Sequence, residues 1–409
     1  MRILGLNITK RREEKQSLTW RALMALWQMR DAVWTPKDYG RLTEAGYENC
    51  TVVYACVNLL ARTVAGIPLI LYRRTGKKVA EIEDHPILTI MGRPNPQEAG
   101  PRFREKVIAY LLLAGNSYIE GAGPVSGPPK ELYTPRPDRM KVLPGDSINP
   151  IRGYEYVAGG SKVPLPLEAV LHLRLFHPRD DFYGLSPLEV AAKAVDISNM
   201  GMAWNMKLLE NDCRPPGGLH TTGNLSDEQF DRLNTQIKEK IAGFENAGTP
   251  LLLEGGLEWQ SYALSPKDMD WLNSEKMTSR WICSIFPGIS PELIGDSENK
   301  TFSNYQDARK ALYIEGALPL LNWFLMELNA WLVPQFGEGL FLGYDRDDIE
   351  ELQEERERLY NRLEKAWWVS INEKRRACGY EDWPGADVLM VPGGVIPLES
   401  ISSDKIIEE

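Results

Sequence analysis

The sequence is poor in the residues that build metal centres and disulfide frameworks. Its five cysteines are scattered, and no two of them form a CxxC pair. Such a set predicts reduced, partly buried thiols rather than a disulfide framework or a zinc site. Of the four histidines, only His172 and His177 are close together. We place both in one strand, where a separation of five residues directs them to opposite faces and argues against a shared metal.

Long apolar runs are also missing. No stretch approaches about 18 consecutive apolar residues, the length typical of a membrane-spanning helix. Residues 1–20 have neither the apolar core nor the small-residue cleavage site of a secretory signal. We therefore expect a protein that is made and folded in a cytoplasm, without a membrane segment.

Motifs for nucleotide binding and nucleophilic catalysis are absent or incomplete. There is no GxxxxGK[ST] loop, and GAGPVSG at 121–127 misses GxGxxG by one position. The GLSPL stretch around Ser186 lacks the second glycine of a nucleophile elbow. Two Asp-Asp pairs, at 180–181 and 347–348, leave one alternative function open: a metal-dependent nuclease or another enzyme with an unrecognised site. Adjacent acids at helix starts are, however, more often solvated charges that suit the helix dipole.

An excess of positive charge is missing as well. Lys and Arg number 47 against 57 Asp and Glu, which gives a formal net charge of −10 and an isoelectric point near 5.2. Proteins that hold nucleic acid tightly neutralise its phosphates with basic side chains, so tight binding is disfavoured here. An acidic wall repels phosphates, however, and would let DNA pass without sticking.

The remaining composition is typical of an ordinary folded protein. Hydrophobic residues make up 43% and charged residues 25% of the 409 positions, a length that predicts two or three domains. Apolar side chains recur at helical spacing over 50–66 and lead into a strand, and a second helix covers about 102–113. Short strands then alternate with proline and glycine turns up to residue 176. We predict an α+β fold with a largely antiparallel sheet.

A long helix opens the second half of the chain. Ser186 is its predicted N-cap, Pro187 takes the first helical position, and Glu189 completes an S-x-x-E capping box. A β-α-β-β insert follows at 213–265, bracketed by prolines, with an S-x-x-Q box that starts at Ser226.

The rest of the chain is predicted to be mainly helical. A helix at 266–286 runs into a polar loop at 287–303, and a longer helix follows at 304–334. Pro319 lies inside that longer helix, where a proline removes one backbone hydrogen bond, so we predict a kink there. A strand, a charged helix and a loop-rich tail complete the chain.

This order of elements resembles the portal proteins, or head–tail connectors, of tailed double-stranded-DNA phages, in the compact branch typical of many long-tailed phages. The resemblance covers about residues 45–398 and is carried by six stretches in the family's order: Val53–Arg74, His85–Pro96, Leu112–Glu120, Val170–Ala191, Ile285–Leu321 and Ile371–Asp387. The portal-type subunit that it implies divides into an N-terminal arm 1–40, an α+β wing 41–185, a stem helix 186–212, a small α/β clip 213–265, a second stem helix 266–286, a tunnel loop 287–303, a kinked helix with a wing strand 304–345, and a helical crown with the C-terminal region 346–409.

The resemblance also implies a function. Portal proteins form a ring, normally of twelve subunits, at one capsid vertex, through which double-stranded DNA is packaged and ejected. They are structural proteins with no active site, cofactor or metal of their own. A twelvefold ring of this chain would carry a formal charge of roughly −120, which suits sliding because few basic contacts need breaking as DNA advances.

The implied partners and location follow from the same family. The partners are further copies of the chain, double-stranded DNA without sequence specificity, the terminase large subunit, a head–tail connector or adaptor, and a major capsid or scaffold protein. The implied location is the portal vertex of a virion that is assembled in the cytoplasm of a bacterial host. A third reading, a head–tail adaptor, is disfavoured because adaptors are usually much shorter.

Two groups of site residues are implied by the resemblance. The tunnel-loop group is expected to line the DNA channel and comprises Asp296, Ser297, Glu298, Asn299, Lys300 and Thr301. The clip group is expected to face the terminase or the connector and comprises Asn224, Asp227, Glu228 and Asn246. The sequence FPGIS at 286–290 departs from the Gly-Val-Pro-Pro turn that is common in the family.

Overall fold

The structure, a computed structural model, describes most of the chain from Tyr39 onward. The described residues are 39–76, 78–124, 127–145, 150–210, 217–221, 226, 228–232, 235, 257–261, 271–296, 298, 301–391 and 396–397. They fall into two units, one formed by residues up to Gly66 together with Leu71–Leu342, and one formed by Ile67–Ile70 together with residues from Gly343 onward.

The first long helix, α1, spans Thr51–Gly66 and follows a helical turn at Tyr39–Leu42 and a π-helical turn at Thr43–Glu48. It buries one line of side chains, Val53, Cys56, Val57, Leu60, Ala61 and Val64. The predicted strand follows as β1, Ile70–Thr75, which pairs antiparallel with β2, Lys78–Ile82. The sequence did not predict β2, because its residues are mostly exposed and show no apolar alternation.

Two further helices precede the main strands. The short α2, Pro86–Gly92, is capped by His85, whose Nδ1 accepts a hydrogen bond from Ile87 N at 3.3 Å. The sequence pattern did not predict this helix. The longer α3, Gly100–Ala114, matches the predicted helix and packs against α1. It ends at Gly115, whose φ of 69° is the left-handed conformation that favours glycine.

The strands form small antiparallel sheets, which confirms the predicted α+β fold. In one sheet β3, Asn116–Ala122, lies between β4, Glu131–Tyr133, and β8, Val170–Arg174. The other sheet consists of three strands that follow one another both along the chain and across the sheet. They are β5 (Met140–Pro144), β6 (Ile151–Ala158) and β7 (Ser161–Pro166). A core that includes Tyr118, Met140, Tyr154, Val170 and Phe182 joins the two sheets.

The last strand of this group corrects one prediction. β8 ends at Arg174, so His172 lies in the strand whereas His177 lies in the loop beyond it. The alternation argument therefore does not apply to this pair. His177 Nδ1 instead accepts a hydrogen bond from Arg179 N at 3.0 Å within that loop.

The long helix predicted from Ser186 is α4, Pro187–Glu210. Ser186 Oγ accepts a hydrogen bond from Glu189 N at 3.3 Å, which confirms the predicted cap. The same hydroxyl donates to Leu113 O at 2.7 Å and so connects α4 to the end of α3. α4 packs along α5, Trp271–Ile285, which covers the described part of the predicted helix 266–286.

Only part of the insert between α4 and α5 is described. β9, Gly217–Thr221, pairs antiparallel with β10, Leu257–Ser261. The predicted S-x-x-Q box is formed, with Ser226 N donating to Gln229 Oε1 at 3.0 Å and Gln229 N donating to Ser226 Oγ at 3.3 Å. The remaining predicted strand of the β-α-β-β insert lies outside the described residues.

The helix predicted at 304–334 is built from three consecutive parts. α6, Phe302–Ala311, leads into a π-helical segment, Leu312–Ala317, and then into α7, Leu318–Trp331. The predicted strand follows as β11, Leu340–Gly343, which lies beside β1.

The unit that starts at Gly343 is mainly helical. It contains α8, Gln353–Lys365, and α9, Ile371–Ala377, followed by two short paired strands, β12, Met390–Val391, and β13, Ile396–Pro397. None of the helices within the described ranges is both long and apolar enough to cross a bilayer. The predicted division into arm, wing, stem, clip and crown stays a prediction.

Candidate functional site

A polar cluster fixes the point where α4 leaves the β3–β8 pair. Asn116 Oδ1 accepts a hydrogen bond from Gly184 N at 2.8 Å and lies 3.1 Å from His172 Nε2, which makes that ring nitrogen the donor. Gly184 is packed so closely that a Cβ atom would lie 2.1 Å from Gly115 O. The geometry therefore requires glycine at the Gly-x-Ser-Pro turn before α4.

The ring of His172 is enclosed by tyrosines. It stacks on Tyr118 with a centroid distance of 4.3 Å and meets Tyr154 edge-on at 5.7 Å. Burial of the ring, with a smaller contribution from Arg174, lowers the pKa of His172 to about 3. The histidine is thus a neutral part of the packing, and its imidazole does not act as a base near neutral pH.

The loop between α5 and α6, which contains the predicted tunnel loop, begins with a close backbone contact. Phe286 and Ile289 are buried and anchor the segment on either side of Gly288. Gly288 has a φ of +70°, and a Cβ atom there would lie 2.7 Å from Gly316 N in the π-helical segment. The reverse contact is equally tight, since a Cβ atom on Gly316 would lie 2.5 Å from Pro287 O. Two glycines therefore let the loop pass directly over the π-helical backbone.

A single 3₁₀ turn, Pro291–Ile294, forms the middle of the loop and begins directly after Ser290. Ser290 occupies the N-cap position, but its hydroxyl bonds to the Glu292 carboxylate and caps no backbone N–H group. Gly295 closes the turn with a φ of 112°. Asp296 N then donates to Pro291 O at 3.1 Å, so the backbone up to Asp296 is hydrogen-bonded.

Two acids of the predicted tunnel loop are bound by two bases of α5. Arg280 Nη2 lies 2.9 Å from Asp296 Oδ2 and 2.6 Å from Glu298 Oε2. Arg280 Nε adds a second hydrogen bond to Asp296 Oδ2 at 3.0 Å. Lys276, one helical turn earlier, pairs with the other carboxylate oxygen of Glu298. We call this group of Lys276, Arg280, Asp296 and Glu298 the loop clasp.

The loop clasp keeps its carboxyls ionised. The backbone N–H of Glu298 and the Arg280 guanidinium lower the pKa of Asp296. Lys276 and then Arg280 lower the pKa of Glu298. Glu298 in turn, with Asp296, raises the pKa of Arg280. The two positive and two negative side chains cancel in formal charge, so the described part of the loop offers no surplus of positive charge to phosphates.

The far end of the loop starts α6. Thr301 is the N-cap, and its Oγ1 accepts a hydrogen bond from Asn304 N at 3.2 Å. Of the predicted tunnel-loop residues, Asp296, Glu298 and Thr301 are described, and the structure brings the first two together. The other three, Ser297, Asn299 and Lys300, lie outside the described residues, and their place at the DNA channel stays a prediction.

The predicted kink position lies beside an irregularity in the helix. Pro319 is the second residue of α7 and follows the π-helical segment directly. At the junction, Leu318 N donates to Tyr313 O, five residues earlier. In a regular α-helix, a proline ring clashes with the carbonyl group four residues before it. In this helix the residues before Pro319 form the wider π-helical turn instead. The kink itself stays a prediction.

The clip group is almost wholly outside the described residues. Glu228 is described and exposed at the start of a helical segment that follows Ser226. Asn224, Asp227 and Asn246 lie outside the described residues, and a surface shared by the four residues stays a prediction.

One carboxylate of the enzymatic alternative, that of Asp180, has structural partners. Asp180 Oδ1 accepts hydrogen bonds from Phe182 N at 2.8 Å and Tyr183 N at 3.1 Å, which shapes the turn before α4. Asp347 N bonds to Asp345 Oδ1 at 2.8 Å in an exposed turn. Over the described ranges, no three His, Cys, Asp or Glu side chains are grouped in a way that could hold a metal ion.

The cysteines in the described part of the chain are free thiols. Cys50, Cys56 and Cys283 are buried and Cys378 is half-buried. Cys213 lies outside the described residues, and the remaining four match the reduced, partly buried thiols that the sequence predicted.

The sequence analysis missed the basic half of the loop clasp. Lys276 and Arg280 are one helical turn apart on α5, and Asp296 and Glu298 are two residues apart in the loop. The spacing of the two bases places them on one helix face and was the available signal.

Comparison with known proteins gives the same family over most of the chain. The family model of phage portal proteins matches residues 51–379. An uncharacterised protein of Rickettsia bellii is 39% identical over 344 residues, which cover 81% of this chain and 87% of that protein.

Two solved structures share the fold. A chain from the neck of a native gene transfer agent particle, computed with C12 symmetry, is 34% identical with a TM-score of 0.69, covering 90% of this chain and 100% of that chain. A portal protein of the HK97 family from Corynebacterium diphtheriae has a TM-score of 0.53 at 16% identity, covering 73% of this chain and 93% of that chain. The family model spans residues 51–379, and α4, the insert, α5, the loop and the π-interrupted helix follow one another in the order expected of the family. The chain therefore belongs to the phage portal protein family.

Proposed function

We propose that this chain is the portal subunit of a phage-like particle and that about twelve copies form a ring through which double-stranded DNA enters and leaves the capsid. One observation carries the proposal: the similar chain from the neck of the gene transfer agent, computed with C12 symmetry, is matched along its full length. The ring would sit at one capsid vertex of a virion that is assembled in the cytoplasm of a bacterial host.

The tunnel loop is the part of the subunit that we propose touches DNA. Its residues Asp296, Glu298 and Thr301, with the undescribed Ser297, Asn299 and Lys300, supply a polar surface. Because the loop clasp neutralises Asp296 and Glu298 with bases of the same chain, neither acid adds unpaired negative charge at the channel. A surface that is polar and close to neutral interacts weakly with phosphates, as a sliding contact requires.

The remaining partners follow from the role of a conduit. The ring has no active site in this proposal, so the energy for packaging comes from a separate terminase motor whose large subunit docks on the clip at Asn224, Asp227, Glu228 and Asn246. After packaging, a head–tail connector takes its place there, and the capsid or scaffold protein holds the ring at its vertex.

Imaging of the purified full-length protein tests the ring. We expect closed rings with a central hole and about twelve subunits. A protein that stays monomeric at all concentrations and cleaves DNA with Mg²⁺, with cleavage lost in Asp180→Asn, would overturn the proposal and favour the nuclease.

Deletion of residues 296–301 tests the loop. We expect the variant to form rings of unchanged size and to lose DNA packaging or retention in a particle-assembly assay. If the variant fails to fold or to form rings, the segment is structural and its proposed contact with DNA is wrong.

A further inference from the structure

The space between the two small sheets continues beyond their core as a cavity. Tyr118 on β3 and Tyr154 on β6 belong to that core, and the residues two positions further along each strand, Glu120 and Tyr156, lie on the same strand faces. Glu120 and Tyr156 line a cavity of about 260 Å³, which we call the Glu120 cavity. Pockets for drug-sized ligands have volumes of about 300–1,000 Å³, so this one suits a group as small as one amino-acid side chain.

The charged pair that α3 brings to the Glu120 cavity is already satisfied. Lys106 Nζ on α3 donates to Glu98 Oε1 at 2.8 Å, and Asn95 Nδ2 lies 3.5 Å from the other carboxylate oxygen of Glu98. Lys106 is the only base among the described residues that line the cavity, and its charge cancels that of Glu98. The cavity therefore offers no spare positive charge to an anion.

Glu120 is the unpaired acid of this cavity. Over the described ranges its carboxylate makes no hydrogen bond and no ion pair, and burial raises the pKa of this carboxyl. Next to Tyr133, the cross-strand partner of Glu120, the Oγ1 of Thr134 is buried and also lacks a hydrogen-bond partner in the described part of the chain. A half-buried carboxylate without a partner is unfavourable, and a bound cation would offset the loss of solvation.

The lining of the cavity favours an organic cation. A metal ion is unsuited, because no three His, Cys, Asp or Glu side chains within the described ranges are grouped to hold one. An apolar ligand would leave Glu120 desolvated and unpaired. The rings of Tyr133, Pro135 and Tyr156 also line the cavity. Such surfaces beside a carboxylate suit a planar guanidinium, which stacks on aromatic rings and bonds both carboxylate oxygens at once.

We propose that the Glu120 cavity binds a guanidinium group, with Glu120 as its counter-ion. An arginine side chain of a partner protein and a free guanidinium compound both carry this group. The site is separate from the predicted tunnel loop and clip, and it does not depend on ring formation.

Saturation-transfer NMR of the full-length protein tests the site. The probe is arginine blocked at both ends, and the reference is citrulline blocked in the same way, which has a similar shape without the charge. We expect the arginine probe to bind at least about tenfold more tightly than the citrulline probe. Equal affinities, or no saturable binding of the arginine probe, would overturn the proposal, and this comparison needs no variant.

Glu120→Gln removes the charge and keeps the shape of the side chain. It should weaken binding of the arginine probe by about tenfold or more. Glu155→Gln is the matched control, because Glu155 lies on the face of β6 opposite to Tyr156 and pairs with Lys162 at 3.6 Å. Equal affinities of the two variants for the probe would overturn the role of Glu120. Failure of Glu120→Gln to fold, judged by urea unfolding, would also overturn it, because the proposal leaves this carboxylate without a partner in the subunit.

A blocked Gly-Gly-Arg-Gly-Gly peptide and methylguanidinium distinguish the two sources of the group. A peptide that binds about tenfold or more tightly than methylguanidinium supports a protein segment, because its backbone adds contacts to those of the guanidinium. Equal affinity supports a small guanidinium compound. Ring formation by Glu120→Gln should be unchanged, so failure of this site and failure of the portal function are seen in different measurements.

Discussion

Gly288 lies directly against Gly316, so that the start of the loop after α5 crosses the π-helical segment at backbone contact distance. A Cβ atom on Gly288 would approach Gly316 N to 2.7 Å and Ala311 O to 2.9 Å. The φ of +70° at Gly288 excludes most side chains independently. The position of the loop is therefore coupled to the irregular part of the following helix.

Gly288→Ala should destabilise the subunit by about 2–4 kcal/mol, because it adds both a strained φ and a backbone clash. Urea unfolding at neutral pH measures the change. Gly66→Ala is the matched control, since its φ is not positive and a Cβ atom there meets nothing within 4 Å. A control variant as unstable as Gly288→Ala would contradict this account of the loop.

Ser186→Ala should cost about 1–2 kcal/mol of unfolding free energy. The buried hydroxyl accepts from Glu189 N and donates to Leu113 O, so alanine leaves a donor of α4 and a carbonyl of α3 without this partner. Ser284→Ala is the control, because that exposed hydroxyl only bonds to Trp281 O within its own helix. Equal urea midpoints for the two variants would show that the cap contributes nothing.

The elements that the sequence predicted well have strong local signals. α4 begins where Ser186, Pro187 and Glu189 together specify a helix start, and α1 shows apolar residues at helical spacing. The strand β7 was missed for a physical reason: its residues are mostly exposed, and its hairpin is specified by the turn at Gly159-Gly160, with φ of 57° and 84°. Such a turn suits two-residue hairpins, but the exposed strand after it contains Pro164 and Pro166 and gives no alternating pattern.

The contacts of the candidate site depend on tertiary structure that sequence spacing does not give. Nothing local connects Arg280 with Asp296, which lie 16 residues apart, because the intervening 3₁₀ turn decides whether they meet. In the same way, Pro319 suggests an irregular helix, but nothing local predicts that the π-helical segment at Leu312–Ala317 lies against Gly288. The family, by contrast, was identified from the order of elements, which local signals do specify.

His172 should make the subunit less stable in mild acid. Its pKa falls from the ordinary 6.5 to about 3 on folding, so between these values the unfolded chain binds a proton that the folded chain excludes. The contribution of His172 to the free energy of unfolding is therefore complete above about pH 6.5. It decreases as the pH falls, by at most about 1.4 kcal/mol per pH unit.

The variant His172→Gln tests this assignment, because glutamine keeps an amide donor for Asn116 and does not titrate. Urea unfolding at pH 7 and pH 5 should show a smaller loss of stability for the variant than for the unchanged chain. His177→Gln is the control, since that residue lies in the loop after β8, where its Nδ1 accepts a hydrogen bond from Arg179 N. An unchanged pH dependence in His172→Gln would contradict the neutral histidine packed against Tyr118 and Tyr154.

Arg280→Gln should release the loop without unfolding the subunit. Arg280 holds Asp296 and Glu298 through exposed contacts, and ion pairs of this kind contribute little to global stability. We therefore expect an unchanged urea midpoint but faster amide exchange, followed by mass spectrometry, in the peptide that covers 287–303. Arg376→Gln, which removes a similar exposed pairing with Asp382, should leave that peptide unchanged. If exchange in the loop is the same in both variants, the clasp does not order the loop.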